Sequence, residues 1–478
     1  MFDFPRFVVI KSKHNGKYLT KLTKEESVAK GFSEMFVNFR GEDVTSPLVK
    51  FELEKAKTKP GWVHIRYCYN NKYLTMQSNY SWYFLASADQ PSEDDETDWK
   101  NTLFKPIKTN TRDEDDKQEY VRFQHVTGRY ACLARWEKSY EDGLYAGDTQ
   151  VDDFDTFKIL DWESLVIFPK TSVAFRPHNG ASWYLSNKYD YYIRVLKDAN
   201  IVDKWVAHEI STVGDGYVRI KNLSTNQFWN SNAVRADNNI EPTNRLSIYL
   251  PIKVADNVVV LRNLHYNKFL SMYTNTLVDK DPIYSATESD ITDKTKFLIV
   301  ERVTSRKIYN INFRHEEGRV YNLSVIEKSQ AVADNPDDVH KTMKLPLQYN
   351  KTRSIALRNS ISLVSDVKPT VEINTIPLIV NKDKIELSRD QVNAVGQWGT
   401  TKTFETSTKT NYVVGVPPKT RAIVTLVVTE GTCDVPFSYA EKNSFYDGTS
   451  KITEMEDGMY TGVNVFNMEI KTTYETLP

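Results

Sequence analysis

The sequence predicts an all-β protein made of three successive parts. Hairpin motifs recur at regular intervals through roughly the first 300 residues, aromatic residues reach 12% of the chain, and no helical periodicity separates the hairpins. β-Branched and aromatic side chains favour strands, and regularly spaced hairpin signals favour sandwiches or barrels. A chain of 478 residues exceeds what one hydrophobic core usually serves, so we expect about three domains.

The first part, residues 1–162, carries one hairpin motif three times. Each copy reads as a strand, a polar Asn/Gly turn, a basic residue and then a tyrosine that starts the next strand, in residues 11–19, 66–74 and 123–131. The copies also end alike, in residues 51–54, 104–107 and 157–160, and both series repeat at about 55 residues. Three repeats of four strands each predict a β-trefoil, in which the repeats together close one barrel and its cap.

The pattern starts again after a short connector at residues 161–164. Related motifs at a shorter spacing of about 42 residues occupy residues 175–185, 220–229 and 261–270, and residues 297–301 close the series. We therefore predict a second β-trefoil over residues 166–302.

Residues 303–478 lack the triple repeat and are richer in Thr, Ser, Lys and Val. Apolar and polar residues alternate in residues 309–313 and 466–474, which is typical of strands with one buried face. The largely β-branched run 423–428 predicts a strand covered on both faces. Residues 400–410 are rich in Thr and Ser and predict an extended strand with little apolar surface. These patterns predict an elongated antiparallel β domain.

The first two parts resemble the amaranthin-type agglutinin domain of plants, the first more specifically than the second. The matching positions are residues 4–8, 61–65, 71–74, 82, 86–91, 102–107 and 159–162. The third part resembles the aerolysin-like domain that is fused to such agglutinins, through residues 306–310, 375–379, 396–399, 416–421, 433–439 and 458–462. The resemblance implies two tandem β-trefoils that bind sugar, followed by an aerolysin-like β domain that oligomerises and inserts into membranes.

A sugar site needs an aromatic ring for the apolar face of the sugar and a few polar groups for its hydroxyls. Residues 78–82, after the second hairpin, offer both. In the agglutinin family a site resembling this position contacts a galactose-containing disaccharide of T-antigen type and is shared across a dimer. The sugar-binding residues expected from this resemblance and from the chemistry of their neighbours are Asn79, Tyr80, Ser81 and Trp82 in the first trefoil and Trp229 and Asn230 in the second. The alternative is that both tryptophans cap the trefoil barrels and touch no ligand.

A membrane-inserting hairpin is predicted between residues 367 and 387. Backbone that crosses a bilayer must be fully hydrogen-bonded, as in a closed β-barrel, and one hairpin per subunit closes a barrel only when several subunits assemble. Residues 376–380 form an apolar tip between two alternating stretches, although Pro369 and Pro377 interrupt pairing. Strands at 354–364 and 398–414 would lengthen the barrel wall. The alternative is a folded hairpin that never leaves the domain. The predicted membrane-inserting residues are Val367, Val371, Ile373, Ile376, Leu378, Ile379, Val380, Ile385 and Leu387.

The composition argues against several other functions. A formal net charge of −1 leaves no basic excess for nucleic acid. Three cysteines without a CxxC pair argue against a zinc site and a disulfide framework, and the acidic clusters lack the spacing of a calcium loop. The motifs of zinc proteases, serine hydrolases and phosphate-binding loops do not occur, and Cys132 with His125 fits repeat core better than a catalytic pair. We expect no enzyme, no cofactor and no metal.

The predicted partners are glycans bearing galactose or N-acetylgalactosamine (GalNAc) and a target membrane. The resemblance implies a dimer in solution and a larger homo-oligomer when assembled, with a role in plant defence. We recognise no signal peptide and no apolar segment of about 18 residues, and therefore expect a cytoplasmic or nucleocytoplasmic soluble form. Two other functions remain open: a cytosolic lectin that forms no pore, and a structural or protease-inhibitory trefoil, which leaves the third part unexplained.

Overall fold

The computed structural model describes residues 4–32, 35–76, 82–113, 118–134, 142–147, 152–178, 182–236, 240–272, 281–363, 366–389 and 398–477. The α-helix found in these ranges, Lys24–Lys30, begins at a capping box of Thr23 and Glu26 and ends at Gly31. No described helix has the length and apolar character needed to span a membrane. The chain divides into two compact units. The first comprises Met1–Arg306, Ser360–Val367 and Asn443–Lys451, and the second Lys307–Asn359, Lys368–Lys442 and Ile452–Pro478.

Twelve strands form the first sheet, and six of them close a ring. Around the ring β1 pairs β4, β4 pairs β5, β5 pairs β8, β8 pairs β9, β9 pairs β12 and β12 pairs β1. The remaining strands form the hairpins β2–β3, β6–β7 and β10–β11. The strands are β1 Phe7–Ser12, β2 Tyr18–Lys21, β3 Val37–Gly41, β4 Phe51–Lys55, β5 Val63–Tyr67, β6 Lys72–Met76, β7 Phe84–Ala88, β8 Leu103–Arg112, β9 Glu119–His125, β10 Tyr130–Leu133, β11 Leu144–Gly147 and β12 Phe157–Asp161.

Isolated bridges join the three hairpins of this sheet to one another, Phe36 to Leu85, Asn38 to Gly143 and Tyr83 to Tyr145. A closed six-stranded ring with three mutually bridged hairpins is a β-trefoil, as the triple repeat predicts. Phe51, Phe104 and Phe157, which end the three repeats, are all fully buried in one core. Burial of three phenylalanine side chains contributes about 5–9 kcal/mol to folding, so the recurring phenylalanine is the core signal of the repeat.

Eleven strands form the second sheet, and again six close a ring: β13, β16, β17, β19, β20 and β23. The other strands pair as β14–β15, β15–β22, β21–β22 and β17–β18. This second trefoil has fewer regular strands outside its ring than the first. The strands are β13 Val173–Pro177, β14 Tyr184–Ser186, β15 Arg194–Leu196, β16 His208–Gly214, β17 Tyr217–Asn222, β18 Gln227–Phe228, β19 Tyr249–Ala255, β20 Val258–Asn263, β21 Phe269–Met272, β22 Asp281–Glu288 and β23 Phe297–Glu301.

The two trefoils meet, within the first compact unit, at the turn between β16 and β17. Asp215 lies in this turn with a φ of 50°, and its carboxylate accepts hydrogen bonds from Lys11 Nζ at 2.8 Å, Lys158 Nζ at 3.0 Å and the Tyr18 hydroxyl at 3.0 Å. Burial alone raises the pKa of Asp215, but the two lysines outweigh it and the net pKa is lowered. The carboxylate is therefore an ionised link between the first trefoil and the second.

Seven strands form the sheet of the second unit, in the order β27-β24-β31-β32-β26-β30, with β25 pairing β31. Side chains of β31 between Ala422 and Val428 alternate between buried and half-buried, so the run predicted to be covered on both faces has one fully covered face. The strands are β24 Val303–Phe313, β25 Arg319–Asn335, β26 Lys341–Arg358, β27 Thr370–Val371, β30 Thr401–Val416, β31 Thr420–Phe445 and β32 Ser450–Thr476, and a separate two-stranded sheet contains β28 Ile376–Asn381 and β29 Lys384–Ser388.

Candidate functional sites

Trp82 lies at the end of the turn between β6 and β7, in one of the capping hairpins of the first trefoil. Its φ of 54° is unusual for a bulky residue, and the hairpin β10–β11 holds it there because Ala146 N donates to the Trp82 carbonyl at 2.7 Å. The Arg129 guanidinium carbon lies 3.9 Å from the centroid of the indole ring. The half-buried indole also packs against the first core. The site therefore combines a half-buried indole with a stacked guanidinium that carries N–H donors, the two kinds of group that a sugar site needs.

The other residues expected around Trp82 lie outside the described part of the chain. Asn79, Tyr80 and Ser81 belong to residues 77–81, so their contribution to a sugar site stays a prediction.

Trp229 does not lie on the surface of the second trefoil. Its side chain is 0% exposed, with ring centroids 5.0 Å from Phe175 and 5.0 Å from His208. Asn230 is buried beside it, donating from Nδ2 to the Phe228 carbonyl at 3.0 Å. A sugar cannot reach either side chain. This burial corrects the expectation that Trp229 and Asn230 bind sugar, and places both in the interior of the trefoil.

The predicted membrane hairpin is present as the two-stranded sheet β28–β29. Ile379 pairs Ile385 and Leu378 pairs Glu386 across it. Ile376, Ile379 and Ile385 are buried in the core of the second unit. Ile379 and Ile385 share one face of the hairpin and Ile376, the partner of Ser388, lies on the other, so both faces contribute to its packing in this core.

Side chains of β32 hold the backbone of this hairpin. The Tyr460 hydroxyl donates to the Pro377 carbonyl at 2.9 Å. The Asn464 side chain accepts from Ile379 N at 3.1 Å and donates to Ile379 O at 3.0 Å. Tyr460 and Asn464 are themselves buried, and burial raises the pKa of Tyr460. The side-chain amide of Asn464 thus replaces the hydrogen bonds of a neighbouring strand at Ile379, since it bonds both the N–H and the C=O of that residue.

The rest of the predicted membrane segment differs in detail from the expectation. The turn of the hairpin is charged, at Lys382 and Asp383, so the apolar residues 376–380 form a strand and not the tip. Before the hairpin, Val371 belongs to the short strand β27, which pairs in parallel with β24, whereas Val367 and Ile373 lie outside any strand. Leu378, Val380, Val367, Val371 and Ile373 are half-buried, and Leu387 is 40% exposed.

The strands flanking this segment also end differently from the prediction. Strand β26 ends at Arg358, short of the predicted residue 364, and β30 begins at Thr401 and ends at Val416.

Three functional contacts were not predicted from the sequence. Arg129 occupies the basic position of the third hairpin motif, and that recurrence is its sequence signal; its stacking on Trp82 depends on closure of the trefoil. Tyr460 lies within residues 458–462, one of the stretches that resemble the aerolysin-like domain, and Asn464 follows two residues later, but neither position indicates a contact with β28–β29. Within the described ranges no cluster of three or more His, Cys, Asp or Glu residues has the geometry to hold a metal ion.

Comparison with known proteins identifies the first part of the chain. Residues 2–161 match the family model described as Agglutinin domain, and no curated protein matches the chain. The chain is similar to a mosquitocidal holotoxin with 12% identity and a TM-score of 0.29, over 64% of this chain and 35% of that one. It thus spans about a third of the holotoxin's length.

Two further solved structures are similar to the chain. One is the lamprey immune protein, with 11% identity, a TM-score of 0.30 and coverage of 78% of this chain and 91% of that one. The other is a designed three-fold symmetric protein, ThreeFoil, with 11% identity, a TM-score of 0.24 and coverage of 27% and 98%. These likenesses are weak, and the fold described above rests on the strand pairing itself. Residues 2–161 of this chain are therefore similar to the Agglutinin domain family.

Proposed function

We propose that this chain is a sugar-binding lectin that carries its own membrane-inserting module. The similarity of residues 2–161 to the Agglutinin family supports sugar binding and favours a binding role over a catalytic one. The observation that carries the membrane half is the hairpin β28–β29. It is paired only with itself among the described strands and is docked through buried isoleucines.

Release of this hairpin leaves the backbone ladder of the larger sheet intact, because β28 and β29 exchange their pairings with each other. The main loss on release is the burial of Ile376, Ile379 and Ile385, about 5–9 kcal/mol in water. A bilayer accepts the same apolar side chains without that loss. In water the docked hairpin is therefore more stable than the released one, whereas at a bilayer the inserted hairpin becomes the more stable form.

Insertion requires longer strands than the docked hairpin has. β28 has 6 residues and β29 has 5, whereas a transmembrane strand needs about 9–11. The proposal is that residues on both sides of the hairpin join its strands during insertion. Strands β26 and β30, paired from Lys341 with Val416 to Ala356 with Thr401, would continue the wall above the membrane. Several subunits must contribute, because one hairpin cannot close a barrel.

The sugar-binding half gives the pore its target. By family resemblance the proposed ligands are galactose- or GalNAc-containing glycans of T-antigen type, bound at the turn that carries Trp82. Binding would concentrate the chain on a glycosylated surface before it assembles. A cytoplasmic or nucleocytoplasmic pool released against an attacking organism, in plant defence, fits this order of events.

Dye release from vesicles that display a galactose-bearing glycoprotein tests the proposal. The full chain should release the dye, and free galactose should block it. In the variant Leu387→Lys we expect normal glycoprotein binding but little release. Leu387 is already partly exposed in the docked hairpin, so a lysine there is tolerated in water, whereas a lysine facing lipid costs about 2–4 kcal/mol in each subunit.

Glu386→Lys is the matched control, since it places a lysine on the preceding residue, which is exposed and lies on the opposite face of the strand. It should release dye as the wild type does. Equal release by Leu387→Lys and the wild type would show that this hairpin is not the inserting segment. Glycoprotein binding without release by the wild type would favour the binding-only lectin, a function that the firm docking by Asn464 and Tyr460 also permits.

A further inference from the structure

Two tyrosines on the turn between β14 and β15 are the most exposed aromatic side chains in the described part of the second trefoil. Tyr189 is 53% exposed and Tyr191 is 60% exposed. The turn that carries them is well defined by hydrogen bonds, because Tyr192 N donates to Asp190 Oδ1 at 3.0 Å and Tyr192 forms a bridge with Arg235. Exposed aromatic rings on an ordered turn offer flat apolar surfaces at little entropic cost to a ligand.

Paired charges surround these rings. Arg194 Nη2 donates to Asp190 Oδ2 at 2.7 Å, and Lys188 Nζ donates to Asp198 Oδ2 at 2.7 Å. The Tyr189 hydroxyl also donates to Asp198 Oδ2. The hydrogen bond from Arg194 lowers the pKa of Asp190, and the one from Lys188 lowers the pKa of Asp198. Both carboxylates are therefore ionised acceptors at neutral pH, and each has a cation beside it that can donate.

We infer that the β14–β15 turn is a second sugar-binding site. It would take a pyranose whose apolar ring face lies on Tyr189 or Tyr191 and whose hydroxyls donate to Asp190 or Asp198. The inference rests on the proposed lectin function. Aromatic rings next to fixed carboxylates and N–H donors are the combination that a sugar requires.

Three further observations support a sugar as the occupant. Trp229, the aromatic residue expected to serve the second trefoil, is fully buried, and the aromatic side chains that are more than half exposed in the described part of this trefoil are Tyr189 and Tyr191. The density of charge at the turn disfavours a protein partner, because the centres of protein interfaces are depleted in charged residues. The turn also belongs to a hairpin outside the ring, as the turn of Trp82 does in the first trefoil.

The test measures binding of the full chain to surfaces bearing galactose, GalNAc, glucose or mannose. The double variant Tyr189→Ala/Tyr191→Ala should bind at least one of these sugars about tenfold more weakly than the wild type. The variant Tyr189→Phe/Tyr191→Phe keeps both rings and should retain most of the binding, which separates loss of stacking from misfolding. Val202→Ala, which trims an exposed apolar side chain elsewhere in the same trefoil, should bind as the wild type does.

The outcomes separate this inference from the lectin proposal. Wild-type binding on all four surfaces by the double alanine variant overturns the second site. If in addition Trp82→Ala abolishes binding, the lectin function stands with one site in the first trefoil. If the wild type binds none of the four sugars, the lectin function and the second site both fail.

Discussion

The hold of Asn464 on the hairpin β28–β29 can be tested with the substitution Asn464→Leu. Leucine keeps the number and branching of the side-chain heavy atoms but removes the amide that hydrogen-bonds Ile379 N and Ile379 O. The hairpin would then keep its apolar contacts and lose its polar attachment at this residue. We expect it to undock more often while the rest of the sheet stays folded.

The magnitude follows from the two backbone groups that lose their partner. A buried N–H or C=O without a hydrogen bond costs about 1–3 kcal/mol, so docking should weaken by about 2–6 kcal/mol. At about 1.4 kcal/mol per factor of ten, the undocked population rises at least about 30-fold. The three buried isoleucines still contribute about 5–9 kcal/mol. The variant should therefore remain mainly docked, with more frequent opening.

Hydrogen exchange read by mass spectrometry measures this opening directly. Amides in residues 376–388 should exchange at least about 30-fold faster in Asn464→Leu, and vesicle dye release should be faster too. Asn467→Leu is the control, because Asn467 lies on the same strand, is exposed and donates only to Glu469 at 3.1 Å among the contacts described. Unchanged exchange in residues 376–388 of Asn464→Leu would refute the reasoning.

Three other predictions concern the trefoils. Asp215→Ala should lower the free energy of unfolding in urea by about 3 kcal/mol, because two lysines at the trefoil junction lose the Asp215 carboxylate. The control Asp256→Ala, in the exposed β19–β20 turn, should change the free energy of unfolding by less than about 0.5 kcal/mol. Equal effects of the two substitutions would contradict the role of Asp215. Burial lowers the pKa of His208 to about 3, below the value of about 6.5 in the unfolded chain. Between these two values the unfolded state binds more protons, so the free energy of unfolding decreases by about 1.4 kcal/mol for each pH unit by which the pH is lowered below 6.5. Between pH 6.5 and 5.0 the free energy of unfolding of His208→Gln should fall by about 2 kcal/mol less than that of the wild type. The same pH dependence in both proteins would argue against this role of His208. Trp82→Ala should weaken glycan binding about tenfold, and Arg129→Gln should weaken it less; wild-type affinity on a glycan surface would exclude this turn as the site.

The trefoil architecture was predictable because each repeat contains a recognisable core residue at the same position. Phe51, Phe104 and Phe157 recur at one spacing and are all buried in the first core. The turn positions between paired strands recur as well, since polar residues there satisfy local backbone groups. Such signals are local and additive, and they specify strand pairing without knowledge of the tertiary structure.

The surface residues of the trefoils were harder to predict because tryptophan suits both a core and a sugar site. Trp229 ends a hairpin motif and is fully buried, whereas Trp82 follows a turn and stays half-buried under Arg129. Which of two similar aromatic residues is covered depends on the packing of the other repeats. Apart from being tyrosines, Tyr189 and Tyr191 have no feature in the sequence that indicates a binding site. Their exposure distinguishes them from the other tyrosines described in the second trefoil.

The hairpin of the second unit was predictable in place but not in form. Alternation and apolar content located residues 376–387, but the turn at Lys382 and Asp383 follows from the pairing of Ile379 with Ile385. The attachment by Asn464 joins residues separated by 85 positions. A single asparagine in a long strand carries no pattern that predicts its partner.

The trefoil rings and the seven-stranded sheet of the second unit differ in their edges. Each ring closes on itself, whereas in the described part of the seven-stranded sheet β30 ends the strand order and β25 pairs only β31. These two edges have different sequences, so a second copy that pairs through them would join head to tail and not by two-fold symmetry. Head-to-tail contacts continue until a ring closes or a filament grows, and the rotation at each contact sets the number of copies. Charged edge residues such as Lys402 and Lys409 of β30 would oppose such growth in solution.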